Sequence, residues 1–214
     1  MANDPYPPLF ARCPDLRSCD RDLRRAHQAL VRGYRRGGKL LVAGNGGSFA
    51  DALHICGELM KSFERRRPLP KPLAAALRRQ PDGALLAREL EAGLPAIALG
   101  ASGSLATAVI NDKPEPRLFF AQECLALGRR GDVFLGISTS GNARNVLLAM
   151  GAARAAGLTV IALTGTPGGR MAERAAIAIR APGRSTAEVQ EAHVRLYHAL
   201  CAALEAEFFP ARGR

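Results

Sequence analysis

The sequence predicts an α/β fold, a three-layer sandwich whose central parallel sheet is flanked by helices on both faces. Short apolar runs of strand length alternate with longer stretches in which apolar residues recur at three- and four-residue spacing. The short runs are apolar at successive positions, as strands covered on both faces must be. Two of the strand-to-helix connections are short and built from Gly, Ser, Thr and Asn. They fall where doubly wound sheets bind ligands, at the carboxyl ends of strands.

The first helix is expected over residues 16–36, where Leu23, Ala26, Leu30 and Val31 share a face and Gly37-Gly38 stops the pattern. Leu40 to Ala43 reads as a buried strand, followed by the loop GNGGS and a helix from Ser48 to Phe63. Residues 64–95 change in character, with prolines and arginines around two short helical patterns; they read as a helical insertion, because strand pattern resumes at Ala96 to Leu99. A helix over Ala101 to Ile110 precedes Asn111 and Asp112, expected in a proline-rich turn, and a helix over Leu118 to Leu127 follows. The second half repeats this logic: strand Val133 to Ile137, loop STSGN, helix Ala143 to Ala156, strand Thr159 to Leu163, a short helix from Arg170, strand Ala176 to Ile179, and a last helix from Thr186 to Glu207. With 214 residues and 48% hydrophobic content, the chain can bury one core, so a single domain over residues 1–214 is expected.

Composition narrows the function classes. No run of 18 apolar residues occurs, and the first 20 residues lack the basic and apolar regions of a secretory signal, so a soluble cytoplasmic protein without a membrane partner is expected. Five scattered cysteines without a CxxC pair point to reduced thiols. The net charge of +11 suggests an acidic partner, yet only four of the 30 basic residues are lysines (Lys39, Lys61, Lys71 and Lys113), which fits a compositional bias toward arginine and a solvated surface as well as a field for phosphorylated ligands. Basic residues with almost no aromatic interleaving argue against nucleic acid.

The chemistry sits in four places. In LGISTSGNARN, the groups Ser138, Thr139, Ser140, Gly141 and Asn142 precede a helix, whose unpaired first-turn amides and dipole favour an anion. An ordinary helix cap is the plain alternative, and the absence of a following lysine excludes a nucleotide P-loop. The loop Asn45, Gly46, Gly47, Ser48 is a second site of the same kind; Phe49 stands where a dinucleotide fingerprint needs glycine. Two such loops suggest a compact phosphorylated ligand. On the following helix, His54 and Glu58 are four apart and share a face, as an acid-base or metal-ligating pair or as an incidental surface pair. In the last helix VQEAHVRLYH offers Gln190, His193 and His198; Gln190 and His198 lie roughly 80° apart around the axis, so both can face one site.

Taken together, GNGGS followed by D-A-x-H-x-x-x-E, Asn111-Asp112, GDVFLGISTSGN, VIALTGxxGG and Q-E-x-H-x-x-x-x-H resemble the motifs of the SIS (sugar isomerase) domain and, within it, the phosphoheptose isomerases. The resemblance spans about Gly38 to Leu204 apart from the insertion and implies a flavodoxin-like doubly wound sheet. It implies conversion of sedoheptulose 7-phosphate into D-glycero-D-manno-heptose 7-phosphate, with Asn45, Ser48, Ser138, Thr139 and Ser140 around the phosphate and Asp112 near the substrate. It further implies Glu58 as catalytic base, His198 as acid, a zinc ion held by His54, Glu58, Gln190 and His198, and a homotetramer with sites across subunit boundaries.

Three departures qualify the resemblance. Ala143 stands where the family often has a further serine after STSGN, and Ala187 where an aspartate often precedes Gln190, with Glu188 the nearest replacement. The 64–95 insertion is longer than the family's usual connection. The rival reading is the non-catalytic SIS relative that binds the bacterial replication initiator as a tetrameric scaffold; it resembles an isomerase without the glutamate and the second C-terminal histidine, both present here as Glu58 and His198. A third is an isomerase or binding protein for another phosphosugar.

Overall fold

A computed structural model of the chain describes residues 6–210; the ends of the expected 1–214 domain lie outside these. Five parallel strands form one sheet: β1 (Leu40–Ala43), β2 (Ala96–Ala98), β3 (Val133–Ser138), β4 (Thr159–Gly165) and β5 (Ile177–Ala181), in the order β2-β1-β3-β4-β5. This is the flavodoxin-like doubly wound order, in which the chain turns to opposite sides of the sheet after β1 and leaves a crevice between β1 and β3. Register follows the pleat. Leu40 and Val42 join the core on one face, and Leu41 and Ala43 the core on the other.

On the first face lie α1 (Tyr6–Arg12), α2 (Asp20–Arg35), α3 (Gly47–Met60) and α10 (Thr186–Phe208), whose Leu23, Leu30, Ile55, Leu196 and Leu200, with Leu16 from the turn before α2, close over the strands. On the second face α7 (Phe119–Leu127) and α8 (Arg144–Ala155) supply Phe120, Leu147 and Met150, and α9 (Gly169–Arg174) supplies Met171. At the amino ends of the strands, buried Asp132 accepts from Lys39 Nζ at 2.6 Å and from the backbone amides of Lys39 and Arg129 at 2.9 Å, pinning β1 to β3 far from the crevice.

The first helix departs from the expected 16–36: α2 begins at Asp20, after a tight turn over Pro14–Cys19, and α1 precedes them. Pro14 opens that turn, and Leu16 and Cys19 continue the spacing of Leu23 into it, so one buried stripe runs through two conformations. Asn111 and Asp112 do not occupy a loop. They form the last turn of α6 (Gly103–Asp112), because the helix runs on until Lys113-Pro114, where the residue before a proline leaves helical space.

The insertion forms a helical hairpin of α4 (Lys71–Leu77) and α5 (Gly83–Glu89). Its helices bury nothing but Gly83, and Leu73, Leu85 and Leu90 stand exposed. What ties it down is its base, where the Ala92 amide donates to the Arg67 carbonyl and the Leu94 amide to the Leu59 carbonyl.

Candidate active site

Pairing of Ala43 with Gly136 brings the loop after β1 out beside the end of β3, so the two small-residue loops line the crevice from opposite sides. Gly46 caps α3 at a φ of 53°, a conformation that costs side-chain-bearing residues energy, and a Cβ at Gly47 would strike the Gln190 amide. Gly47 therefore lets α10 lay Gln190 against the first turn of α3. Across the crevice Asn45 and Asn145 exchange two side-chain hydrogen bonds, Asn45 Nδ2 to Asn145 Oδ1 at 3.0 Å and Asn145 Nδ2 to Asn45 Oδ1 at 2.7 Å. Asn145 stands outside the STSGN motif, and its one mark in the sequence is a position inside the first turn of the helix that follows.

Ser138 closes β3 and is buried, whereas Ser140 and Asn142 are exposed. The Asn142 amide donates to Ser140 Oγ at 3.2 Å, and Asn142 Oδ1 accepts from the Arg170 amide at 3.1 Å, which knits STSGN to the turn after β4. The cap of α8 is Ala143, whose side chain accepts none of the first-turn amides; the Val146 amide donates instead to Asn145 Oδ1 at 3.0 Å. Glu188, the candidate replacement for the aspartate absent at Ala187, is otherwise engaged. It accepts from the Arg184 amide at 2.7 Å while its own amide donates to the Ser185 cap. Asn111 and Asp112 bond to each other at 2.8 Å on an exposed helix end, and no hydrogen bond among the described residues joins them to either loop.

Further along α3, His54 Nε2 lies 2.9 Å from Glu58 Oε1, and the His54 ring meets the His198 ring edge-on at 5.0 Å. One ligand atom from each of His54, Glu58 and His198 lies within 4.8 Å of the others. Helical spacing explains the grouping: residues four apart on α3 share a face, and α10 lies against that face. His198 Nε2 is buried without a hydrogen-bond partner. Burial, then the adjacent His54 ring, holds His198 below the usual histidine range, so it stays neutral near pH 7. Two imidazoles and a carboxylate, with one ring nitrogen lacking a partner, fit a zinc-type donor set. Gln190, two turns back along α10, has its side-chain amide against Gly47. A depression of about 350 Å³ reaches His198 from the side of α1, whereas another, of about 550 Å³, lies between α4 and α5 and touches none of these groups.

His193, fully buried on the inner face of α10, is a packing residue. Both ring nitrogens lack well-formed hydrogen bonds, and burial pushes its pKa down to about 4, opposed to a lesser degree by the Thr164 backbone. Because the unfolded ring titrates near 6.5, the unfolded chain takes up this proton first as pH falls. His193 is therefore expected to contribute stability that is complete above pH 6.5 and lost toward pH 4, about 3 kcal/mol over the window. Urea midpoints at both ends of that window should show a shallower pH slope for His193→Leu than for the native chain; equal slopes would contradict this.

The SIS domain family matches residues 86–165. A phosphoheptose isomerase of Roseiflexus sp. (strain RS-1) is 38% identical over 182 residues, covering 85% of this chain and 80% of that one. A phosphoheptose isomerase of Thiobacillus denitrificans is 41% identical over 179 residues, 82% of this chain and 78% of that one. Among solved structures, a phosphoheptose isomerase from Francisella tularensis superposes with a TM-score of 0.73 at 31% identity, covering 91% of this chain and 90% of that one.

Proposed function

Since this chain belongs to the phosphoheptose isomerase family of SIS-domain proteins, we propose that it interconverts sedoheptulose 7-phosphate and D-glycero-D-manno-heptose 7-phosphate, the whole chain acting as one SIS domain in the cytoplasm. The observation that carries this reading is the grouping of His54, Glu58 and His198, the first two on α3, whose amino end lines the β1/β3 crevice. A rise of 1.5 Å per residue sets His54 about 9 Å along α3 from Ser48, a distance an extended phosphosugar can span. Its phosphate is then held by Asn45, Ser48, Ser138, Thr139, Ser140 and the amides of α8, remote from the reacting carbons, where it supplies binding energy.

The reaction moves one proton between neighbouring carbons. The Glu58 carboxylate takes a proton from C1 of the open-chain ketose, giving a cis-enediolate, and returns it to C2. O1 loses its hydroxyl proton as it becomes the aldehyde, and O2 gains one. Neutral His198 is suited to begin this exchange by accepting the hydroxyl proton, which it then delivers to the other oxygen. Zinc, held by His54, Glu58 and His198 with Gln190 as the further candidate, would polarise the carbonyl and stabilise negative charge on its oxygen.

Assembly as a homotetramer fits the apolar side chains left uncovered: Leu53 and Met60 stand exposed on α3, and Ile110 and Leu125 on α6 and α7. A partner seated on α3 would close a cluster that one chain leaves half open. The scaffold reading loses ground, because the relatives bear isomerase names and Glu58 and His198 meet in one cluster.

The test is incubation of the purified protein with sedoheptulose 7-phosphate in deuterium oxide, with and without added zinc, followed by NMR. An aldose heptose 7-phosphate carrying deuterium beside its carbonyl is expected. Neither product nor exchange from folded protein under both conditions would overturn the assignment.

A further inference from the structure

Two side-chain amides close on each other across the crevice, and the backbone sets their orientation. Asn145 Oδ1 accepts from the Val146 amide at 3.0 Å, in the first turn of α8. Val146 is fully buried in the core of the second face, so this acceptor is anchored. With its oxygen turned to its own helix, Asn145 directs Nδ2 to Asn45 Oδ1 at 2.7 Å, and Asn45 Nδ2 returns a bond to Asn145 Oδ1 at 3.0 Å. Neither amide can flip by itself, because a turned Asn45 would set oxygen against oxygen and nitrogen against nitrogen.

A primary amide has two N–H donors and an oxygen that accepts two bonds. Asn145 Oδ1 uses both of its acceptor positions, on Val146 and on Asn45. Asn45 Oδ1 is turned to Asn145 Nδ2, while Asn45 Nδ2 keeps one proton without a partner among the described residues. Asn45 is exposed at the start of the GNGGS turn. The clasp therefore points the two oxygens, which would repel an anion, at each other and leaves Asn45 with a free donor. A lone asparagine has no such bias, since its amide can present either end to a ligand.

We propose that Asn145 is a positioning residue for the phosphate of the substrate: through Asn45 it fixes a donor, in place of an acceptor, at the anion site between the two loops. This rests on the phosphate placement proposed above. Asn145 acts here without touching the ligand. The clasp also ties the loop after β1 to the first turn of α8, so the two sides of the anion site are set before the phosphate arrives and less ordering is left to binding.

The test compares Asn45→Ala, Asn145→Ala and the double variant. Asn145→Ala should raise the KM for sedoheptulose 7-phosphate about tenfold, with the loss in kcat/KM carried by KM. A change that only reduced the folded fraction would lower kcat and leave KM in place. Because Asn145 acts through Asn45, adding Asn145→Ala to Asn45→Ala should change KM by less than about twofold. Binding of inorganic phosphate, followed through the side-chain amide ¹⁵N–¹H resonances of Asn45, needs no turnover; its Kd should also rise about tenfold in Asn145→Ala. Native protein that binds phosphate at Asn45 yet leaves sedoheptulose 7-phosphate unconverted would remove the isomerase assignment, and the two phosphate affinities would still decide the role of Asn145. Additive effects in the double variant, or a phosphate affinity unchanged in Asn145→Ala, would overturn the proposal. So would native protein whose Asn45 resonances do not respond to phosphate.

Discussion

Glu58→Gln is expected to lower kcat about 10³-fold while sedoheptulose 7-phosphate still binds. The amide keeps the size of the side chain and its place on α3, but it accepts no proton, so the C1 to C2 transfer loses its carrier. Binding should persist, because the phosphate is held at the loops near the amino ends of α3 and α8, not at this turn of the helix. The Glu58 backbone is also secured independently of the side chain: Arg67 donates to its carbonyl at 2.8 Å. A loss confined to kcat, with KM changed little, identifies an interaction made in the transition state. Glu58→Asp separates charge from reach. It retains the carboxylate but withdraws it by one methylene from a group now 2.9 Å from His54, and should fall between the native enzyme and the amide variant. Deuterium exchange without net turnover provides a second readout, since proton abstraction alone produces it. An undiminished rate in Glu58→Gln would remove this residue from the base role and send the search to other groups near the cluster.

The architecture was legible because both faces of a parallel sheet are covered, which makes each strand a continuous apolar run; β1 matches its expected range, and β2 to β5 differ by one or two residues at their ends. The helix α1 was not legible: YPPLFAR is too short to show a period, and its two prolines read as a breaker although they sit in the first turn, which tolerates them. Within the candidate site, residues close in sequence were the visible ones. His54 and Glu58 announce themselves by a four-residue step, and the loops by their glycines. Contacts made between elements carry no such mark, so Asn145, a hundred residues from Asn45, and Tyr197, which meets Asp51 and His54 across two helices, emerge only with the fold. Arg67 is the most concealed. In ERRRP it looks like one of three solvated arginines, yet it is fully buried.

That burial makes Glu205 the position where a single change should cost the most stability. Its carboxylate, fully buried on α10, accepts from Arg67 Nε at 2.7 Å and from the backbone amides of Phe63 and Glu64 at 2.8 Å. Arg67 in turn donates to the carbonyls of Leu59 and Glu58, at the carboxyl end of α3 where the helix has no intrahelical donors left, and its guanidinium stacks over Phe209. One ion pair thus joins the end of α3, the base of the insertion and the last helix. Glu205→Ala strands a buried guanidinium and takes the acceptor from two backbone amides at once, so it should destabilise the fold by about 3–5 kcal/mol. Glu205→Gln keeps an oxygen for one amide and should cost less. The double replacement Arg67→Met, Glu205→Leu removes both charges and should recover part of the loss, but not all, because the Phe63 and Glu64 amides stay unpaired. Urea unfolding at one fixed protein concentration measures all three. A loss below about 1 kcal/mol for Glu205→Ala would mean that water reaches the pair in solution, since exposed pairs contribute at that level. Because Arg67 holds the turn that carries Glu58, activity should fall in the double variant even where stability returns; full activity there would show that α3 keeps Glu58 in place without the arginine.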